Sequence, residues 1–450
     1  MSESDYRQPF FLTSNDEPVH RIRCPIHGFI RFSENERKII DDRLFRRLRW
    51  IRQLALTELV YPGATHTRFE HSLGVMEVAT RIFDALARTQ GRLMEEAFKS
   101  VEQLSDQPLG KARQLVRVAA LLHDIGHCCF SHAAEEVIQK DSDHESLTVI
   151  VLTQPDLFGD LLNRLFFPGC SDLAAKIIRL KGLPPQLQVL RDIVSGQVDA
   201  DRTDYLLRDS HHCGVDYGLF DFRRMIECLT LRQDPVGLGG LEIAIHRDGI
   251  HTFEALILAR YQMNTQVYYH RLRRIYDLYL KEYFKARGKV DFDAPQKVLQ
   301  YNDVTMLATI MQDANGSGAP SQPWAKRIRD RVHHRLVFES DEDTGAAQIK
   351  RMKLAFERIQ SENEDVNFLW DLAQVSIHKL LLLDDKEEGD FVQFYVIDRD
   401  GREDLIGERS PILRKIPRWF QVFRIFADLG HDQKPLLQEI ADKCKEYARA

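Results

Sequence analysis

Apolar residues recur at helical spacing along the first two-thirds of this 450-residue chain, and that periodicity limits what it can fold into. Leu44, Leu48, Ile51 and Ala55 fall at i, i+4, i+7 and i+11. Val75, Val78, Ala79, Ile82 and Leu86 continue a second stripe that begins at His71. Leu115, Val118, Ala119 and Leu122 make a third, which runs into His123. Between the second and third, residues 88–113 are rich in Gln, Glu, Lys and Arg and read as an exposed helical insertion or loop. Strand signals are few. Leu241–His246 alternates and, with the turn Arg247-Asp248-Gly249 and residues 250–253, predicts a short hairpin. Helices resume from Glu254 to about Lys285. Residues 313–323 (DANGSGAPSQP) bring Gly, Pro, Ser and Asn in quick succession and read as a linker. Beyond it, 391–397 reads as a strand with a turn at 398–401, and 419–429 and 435–448 read as closing helices. The chain is therefore expected to be mainly α, with a helical core, a short β-hairpin and a smaller C-terminal α/β lobe. The expected divisions are an N-terminal extension (1–19), a helical domain (20–312), a linker (313–323) and the lobe (324–450).

Sixty-two Lys and Arg against sixty-eight Asp and Glu leave a formal charge of −6. That balance excludes a histone-like protein and gives no global drive onto nucleic acid or anionic membrane. With 44% apolar and 29% charged residues the chain can bury a large core. No stretch approaches the roughly 18 apolar residues of a membrane span, so no membrane partner is expected. The seven cysteines are scattered, which argues against a disulfide scaffold or zinc finger. The opening residues are acidic and polar, without a secretory pattern, and a cytoplasmic location is expected.

The chemistry concentrates where the third stripe ends, in Leu121-Leu-His123-Asp124-Ile-Gly126-His127-Cys-Cys-Phe-Ser-His132. The His123-Asp124 pair ends an apolar helix, Gly126 lets the backbone turn, and His127 and His132 add imidazoles to the same neighbourhood. Imidazole with carboxylate suits Zn, Fe, Mn, Ni or Mg, so the donor set does not choose the metal. Further ligand candidates are His71, in Thr67-Arg-Phe-Glu-His71-Ser, and Asp201, in Val198-Asp-Ala-Asp201-Arg-Thr-Asp-Tyr205. From Asp201 a helix would carry Asp201, Tyr205, Arg208 and His212 on one face, a plausible phosphate-ester site. Cys128 and Cys129 sit beside this motif and could look like ligands.

These segments resemble the HD-domain metal-dependent phosphohydrolases, and within them the deoxynucleoside triphosphate triphosphohydrolases of the sterile-alpha-motif and HD-domain branch. Five ordered blocks carry the resemblance: Cys24-Pro-Ile-His-Gly28; Phe45-Arg-Arg-Leu-Arg-Trp-Ile-Arg-Gln-Leu54; Tyr61 to Val75; His123 to His132; and Asp201-Arg-Thr-Asp-Tyr205 through His212. They cover about residues 20 to 275, and the resemblance implies that the domain expected at 20–312 is an HD phosphohydrolase domain. The resemblance implies one divalent metal held by His71, His123, Asp124 and Asp201, with Cys128 and Cys129 as packing residues. It implies hydrolysis of a dNTP to deoxynucleoside and inorganic triphosphate. His127, His132 and His144 match active-site histidines, and His132 or His144 would protonate the leaving 5′-oxygen, with Glu135 orienting His132. Arg68, Arg202 and Arg260 match phosphate-holding positions, although a lysine is familiar where Arg202 stands. Tyr205 matches the ring under the sugar, Asp209 the 3′-hydroxyl contact, and Gln53 with Leu54 the sugar and base edge; Tyr268 completes the set.

Arg43, Arg46, Arg47, Arg49 and Arg52 form a basic run that reads either as a solvated helix face or as an anion site. The resemblance implies an activating nucleotide bound here between subunits of a homo-oligomer, with Asp41, Arg46 and Arg49 as contacts; Arg46 departs from a familiar glutamine. Two other functions share the same motifs. One is an HD phosphodiesterase or nuclease on single-stranded nucleic acid or another nucleotide, which calls for a wide basic track with stacking aromatics. The other is a non-catalytic nucleotide-binding regulator, against which the complete ligand set argues.

Overall fold

The second stripe forms a 32-residue helix, α1 (Arg68–Lys99), whose residues Val75, Val78, Ala79, Ile82 and Leu86 are all buried. The third forms α2 (Pro108–Leu122), which lies along α1 with Leu115, Val118, Ala119 and Leu122 inside. Each such Val, Ile or Leu side chain taken out of water contributes about 1.5–3 kcal/mol. The computed structural model describes residues 18–131, 133, 143–179, 182–233, 239–288, 297, 299–342, 344–382, 391–430 and 433–449. The fold is mainly helical with small sheets. The polar stretch 88–113 is no insertion: α1 runs through its first half, burying Met94 and Phe98, and Pro108 opens α2 in its second.

Preceding α1, strands β1 (His20–Cys24) and β2 (Gly28–Phe32) pair antiparallel. Gly28, at φ +79°, supplies the left-handed residue that closes their turn. Helix α3 (His144–Thr153) packs beside the end of α2, and α4 (Ala200–Cys213) crosses α1.

The expected hairpin at 241–253 forms with a different partner. Strand β4 (Leu241–His246) pairs antiparallel with β3 (Leu229–Gln233), and residues 250–253 open helix α5 (Ile250–Met263). Ile250, Phe253, Leu256 and Ile257 lie on one buried face, a helical period that the alternation in β4 masks. Helix α6 (Arg271–Arg287) follows.

Residues 313–323 make a tight connection between two helices. Helix α7 (Asp303–Asn315) runs into the segment and α8 (Gln322–Asp330) begins within it, and the two pack together and onto α6. Asp313 accepts from Tyr283 Oη at 2.7 Å and pairs with Arg287, tying the turn to α6.

The C-terminal part mixes helices and strands. Strand β5 (Arg335–Glu339), helix α9 (Ala346–Glu362) and strand β6 (Phe368–Ser376) precede a short sheet segment of β7 (Tyr395–Ile397) and β8 (Glu403–Leu405). Residues 419–429, expected as a helix, are mostly strand: β9 (Trp419–Ala427) is the centre of the sheet β5-β9-β6. Its aromatic and β-branched composition suits a strand buried on both faces. Helix α10 (Lys434–Arg449) closes the described chain. Strand β7 pairs in parallel with β4, Ile245 opposite Val396, so the lobe shares a sheet with the helical part. Among the described residues no helix is long and apolar enough to cross a membrane.

Candidate active site

Three segments converge at the site. Helix α1 begins after Thr67, whose N–H donates to Glu70 at 3.0 Å, and places His71 at the end of its first turn. Helix α2 ends at Leu122, so His123 and Asp124 lie on the turn beyond it. Helix α4 is capped by Asp199, whose Oδ1 accepts from Arg202 N at 2.7 Å, and this places Asp201 in its first turn.

His71, His123 and Asp201 offer ligand atoms all within 4.8 Å of one another. Asp124 joins them: its Oδ2 is 3.7 Å from His71 Nε2 and its Oδ1 is 3.3 Å from His123 Nε2. The Nδ1 atoms of both histidines are occupied, by Asp204 Oδ2 at 2.8 Å for His71 and by the Ala120 carbonyl at 2.8 Å for His123. This leaves both Nε2 atoms for the shared point, and His123 Nε2 is buried with no hydrogen-bond partner among the described residues. Two imidazole nitrogens facing two carboxylates fit a divalent cation. The carboxylates around this point favour positive charge there. Burial pulls the His71 imidazole down, but the carboxylates of Asp201 and Asp204 more than offset this and push it up to about 10. Burial raises Asp201 and Asp124, yet neighbouring cations and imidazoles hold both below the usual carboxylate range.

Two arginines secure this turn. Arg68 pairs with Asp124 and donates through Nε to Ser131 Oγ at 2.8 Å. Arg47, buried, donates through Nη2 to the carbonyls of Ile125 and His127, both at 2.8 Å. Gly126 is required by close approach rather than by a turn, since a Cβ there would run into the His144 carbonyl and Thr148 N, the latter at 2.5 Å. His127 stacks on His144 with centroids 4.0 Å apart and lies 3.3 Å from Asp124 Oδ1. Burial, then the charges of Arg68 and His144, holds its imidazole well below the ordinary value. His132 and Glu135 lie outside the described residues.

Along α4, Tyr205 meets Tyr268 edge-on at 6.0 Å, and burial raises both phenols. Asp209, a turn further on, accepts from Tyr268 Oη at 2.7 Å and bonds His66 Nε2 at 2.7 Å. Arg202 pairs with Asp199. Arg260 donates to the Ser376 carbonyl at 2.7 Å, and its Nε is buried without a partner among the described residues. Burial lowers Arg260, and the nearby Arg202 charge adds to this while Tyr205 opposes it. Gln53 donates its N–H to the His66 carbonyl at 3.1 Å and keeps its side-chain oxygen buried and unpartnered among the described residues. Leu54, next to it, is buried.

Asp41, Arg46 and Arg49 share an exposed surface, where Arg49 lies over the Phe69 ring at 3.5 Å and is lowered by burial and then by Arg46. The basic run is not one face, because Arg47 is buried and Arg52 pairs with Glu58 at 3.2 Å. Cys128 and Cys129 are buried core residues. The sequence does not single out Asp204 or His66, and it gives Arg47 only as part of the basic run. Asp204 alone had a signal there, lying at i+3 from Asp201 on one helix.

The chain matches the HD domain over residues 68–209 and the HD associated region over 220–367. It is 38% identical over 272 residues to an uncharacterized protein of Methanocaldococcus jannaschii, covering 58% of this chain and 48% of that one. It is 29% identical over 379 residues to the deoxynucleoside triphosphate triphosphohydrolase SAMHD1 of Homo sapiens, covering 73% of this chain and 56% of that one. The chain spans about half the length of the curated relatives it matches. Among solved structures, a hypothetical protein from Aquifex aeolicus superposes with TM-score 0.72 at 26% identity, over 94% of this chain and 99% of that one. With the motif matched in sequence and its histidines and aspartates gathered in space, the chain carries an HD domain over residues 68–209, and deoxynucleoside triphosphate triphosphohydrolases are among the relatives it resembles.

Proposed function

We propose that the chain is a metal-dependent phosphohydrolase that converts deoxynucleoside triphosphates and water to deoxynucleoside and inorganic triphosphate. The observation that carries this reading is the cluster of His71, His123, Asp124 and Asp201, with Arg202 and Tyr205 further along α4 and Tyr268 edge-on to Tyr205. Those four residues would hold one divalent metal, which supplies Lewis-acid polarisation at a phosphate oxygen when bound. Arg68, Arg202 and Arg260 would balance the triphosphate charge with charge-assisted hydrogen bonds. Water adds to the α-phosphorus, the bond from phosphorus to the 5′-oxygen breaks, and a proton goes to that oxygen. His144, stacked on His127, is the described imidazole suited to deliver it, and His132 oriented by Glu135 is the other candidate. Tyr205 and Tyr268 would pack against the deoxyribose, Asp209 would accept from its 3′-hydroxyl, and Gln53 with Leu54 would meet the sugar and base edge. On the same reading, Asp41, Arg46 and Arg49 would take an activating nucleotide between subunits of a homo-oligomer.

A nuclease on single-stranded nucleic acid would want a continuous basic track, and the burial of Arg47 and pairing of Arg52 interrupt the run at 43–52. Asp201→Ala tests the reading. The expected outcome is loss of bound metal and of dNTP turnover with the far-ultraviolet circular dichroism retained, because a catalytic metal with open positions contributes less to folding than a closed structural site. Full turnover by a variant that binds no metal would contradict it.

A further inference from the structure

We infer that His27, on the turn of the N-terminal hairpin, is a positioning residue of the metal centre: it fixes Asp204 and, through Asp204, the ligand imidazole of His71. The inference rests on the reading of His71 as a metal ligand and extends it to a segment outside the matched HD domain, which begins at residue 68.

Asp204 is fully buried and takes four hydrogen bonds. His27 Nε2 donates to Oδ1 at 2.6 Å, His71 Nδ1 donates to Oδ2 at 2.8 Å, and Arg208 donates through Nε at 2.8 Å and Nη2 at 2.9 Å. A carboxylate has about four lone-pair sites, so this one is saturated. It also has no space to shift towards α1. Gly74 faces it one turn beyond His71, and a Cβ on Gly74 would collide with Asp204 Oδ1 and Arg208 Nη2. The carboxylate is therefore held between the backbone of α1, the guanidinium of Arg208 and the imidazole of His27. By accepting the Nδ1 proton of His71 it sets the tautomer that turns the Nε2 lone pair towards His123 and Asp201.

His27 is itself fixed. Its carbonyl accepts from Arg81 Nη2 at 3.1 Å, and its ring meets Phe222 edge-on with centroids 5.9 Å apart. Its Nδ1 is buried with no partner among the described residues, so the imidazole makes one side-chain hydrogen bond, and that bond is to Asp204. A buried polar ring kept with half of its hydrogen-bonding capacity unmet costs stability that an apolar side chain would avoid. The contact to Asp204 is what it gives in return.

The test is Mn²⁺ affinity, measured by titration calorimetry on the full chain, beside thermal melting of the metal-free protein. His27→Leu keeps the bulk and removes the donor. His27→Gln places an amide nitrogen near the position of Nε2 and can restore it. We expect His27→Leu to weaken Mn²⁺ binding about 10- to 100-fold, the range for loss of a partner behind a metal ligand, and His27→Gln to recover most of that loss. If His27→Leu fails to fold, His27→Asn, which is polar but too short to reach Asp204, should show the same weakening. A variant that melts lower but binds Mn²⁺ as tightly as the parent would assign His27 a purely structural role and overturn the inference. If the parent itself binds no Mn²⁺, the reading of the centre as a metal site fails first, and this inference falls with it.

Discussion

Tyr205 lies one helical turn past Asp201, half-buried, where its ring meets Tyr268 edge-on. An aromatic ring cannot hydrogen-bond a sugar hydroxyl that it covers, and stranding such a group costs about 1–3 kcal/mol. That corresponds to roughly five- to 150-fold preference for a deoxynucleotide over its ribonucleotide. Tyr205→Ala should therefore lower the rate and narrow that preference, as read from kcat/KM for dATP against ATP; an unchanged ratio in the variant would exclude the ring as the selector. At this scale the sequence exposes some of the chemistry and conceals the rest. His123, Asp124, His71 and Asp201 stand in motifs whose residue types and order suggest a shared point. The roles of His27 and Asp204 exist only once a hairpin turn is laid against α4, and nothing in the local spacing of Cys24-Pro-Ile-His-Gly28 reports that contact.

At the scale of elements, the segment around α6 and α8 offers a titration that reports packing. His334 is buried against Tyr279, whose Oη lies 2.9 Å from Nδ1, and against Trp324, whose ring is stacked 6.3 Å away. Burial, then the Arg327 charge, pulls its imidazole down to about 4, with Asp428 opposing and His333 assisting. The folded value lies below the unfolded value of about 6.5, so the unfolded chain takes the proton first. Stability from this group is complete above about pH 6.5 and drains away as pH falls towards about 4. Unfolding free energies from urea titrations between about pH 7 and pH 5 should fall, and His334→Asn should flatten that slope by up to about 1.4 kcal/mol per pH unit. Parallel profiles for the two proteins would contradict the assignment. The helices α1 and α2 were legible because their stripes are long and strictly periodic. Strand β9 was not, because a short apolar run satisfies either period; its Phe, Val and Ile content was the better guide. The opening of α5 was masked by the Arg-Asp-Gly turn, which also suits a hairpin.

Across the whole molecule, the composition at 313–323 marks a turn between two packed helices. The Gly and Pro residues there serve a tight connection between α7 and α8, and the matched HD associated region runs through it from 220 to 367. The parallel pairing of β7 with β4 likewise returns the C-terminal chain to the helical part, a long-range contact that no local pattern announces. The candidate site draws on this interlocking: β6 supplies the Ser376 carbonyl that holds Arg260, while the hairpin at the other end of the chain supplies His27. The central claim is that this assembly directs water to the α-phosphorus of a deoxynucleoside triphosphate. The most direct measurement is turnover of a dNTP with Mn²⁺ in heavy-oxygen water, with the label located by mass spectrometry. The account predicts unlabelled deoxynucleoside and one heavy oxygen in inorganic triphosphate; label in a deoxynucleoside monophosphate, in inorganic phosphate, or in no product would contradict it.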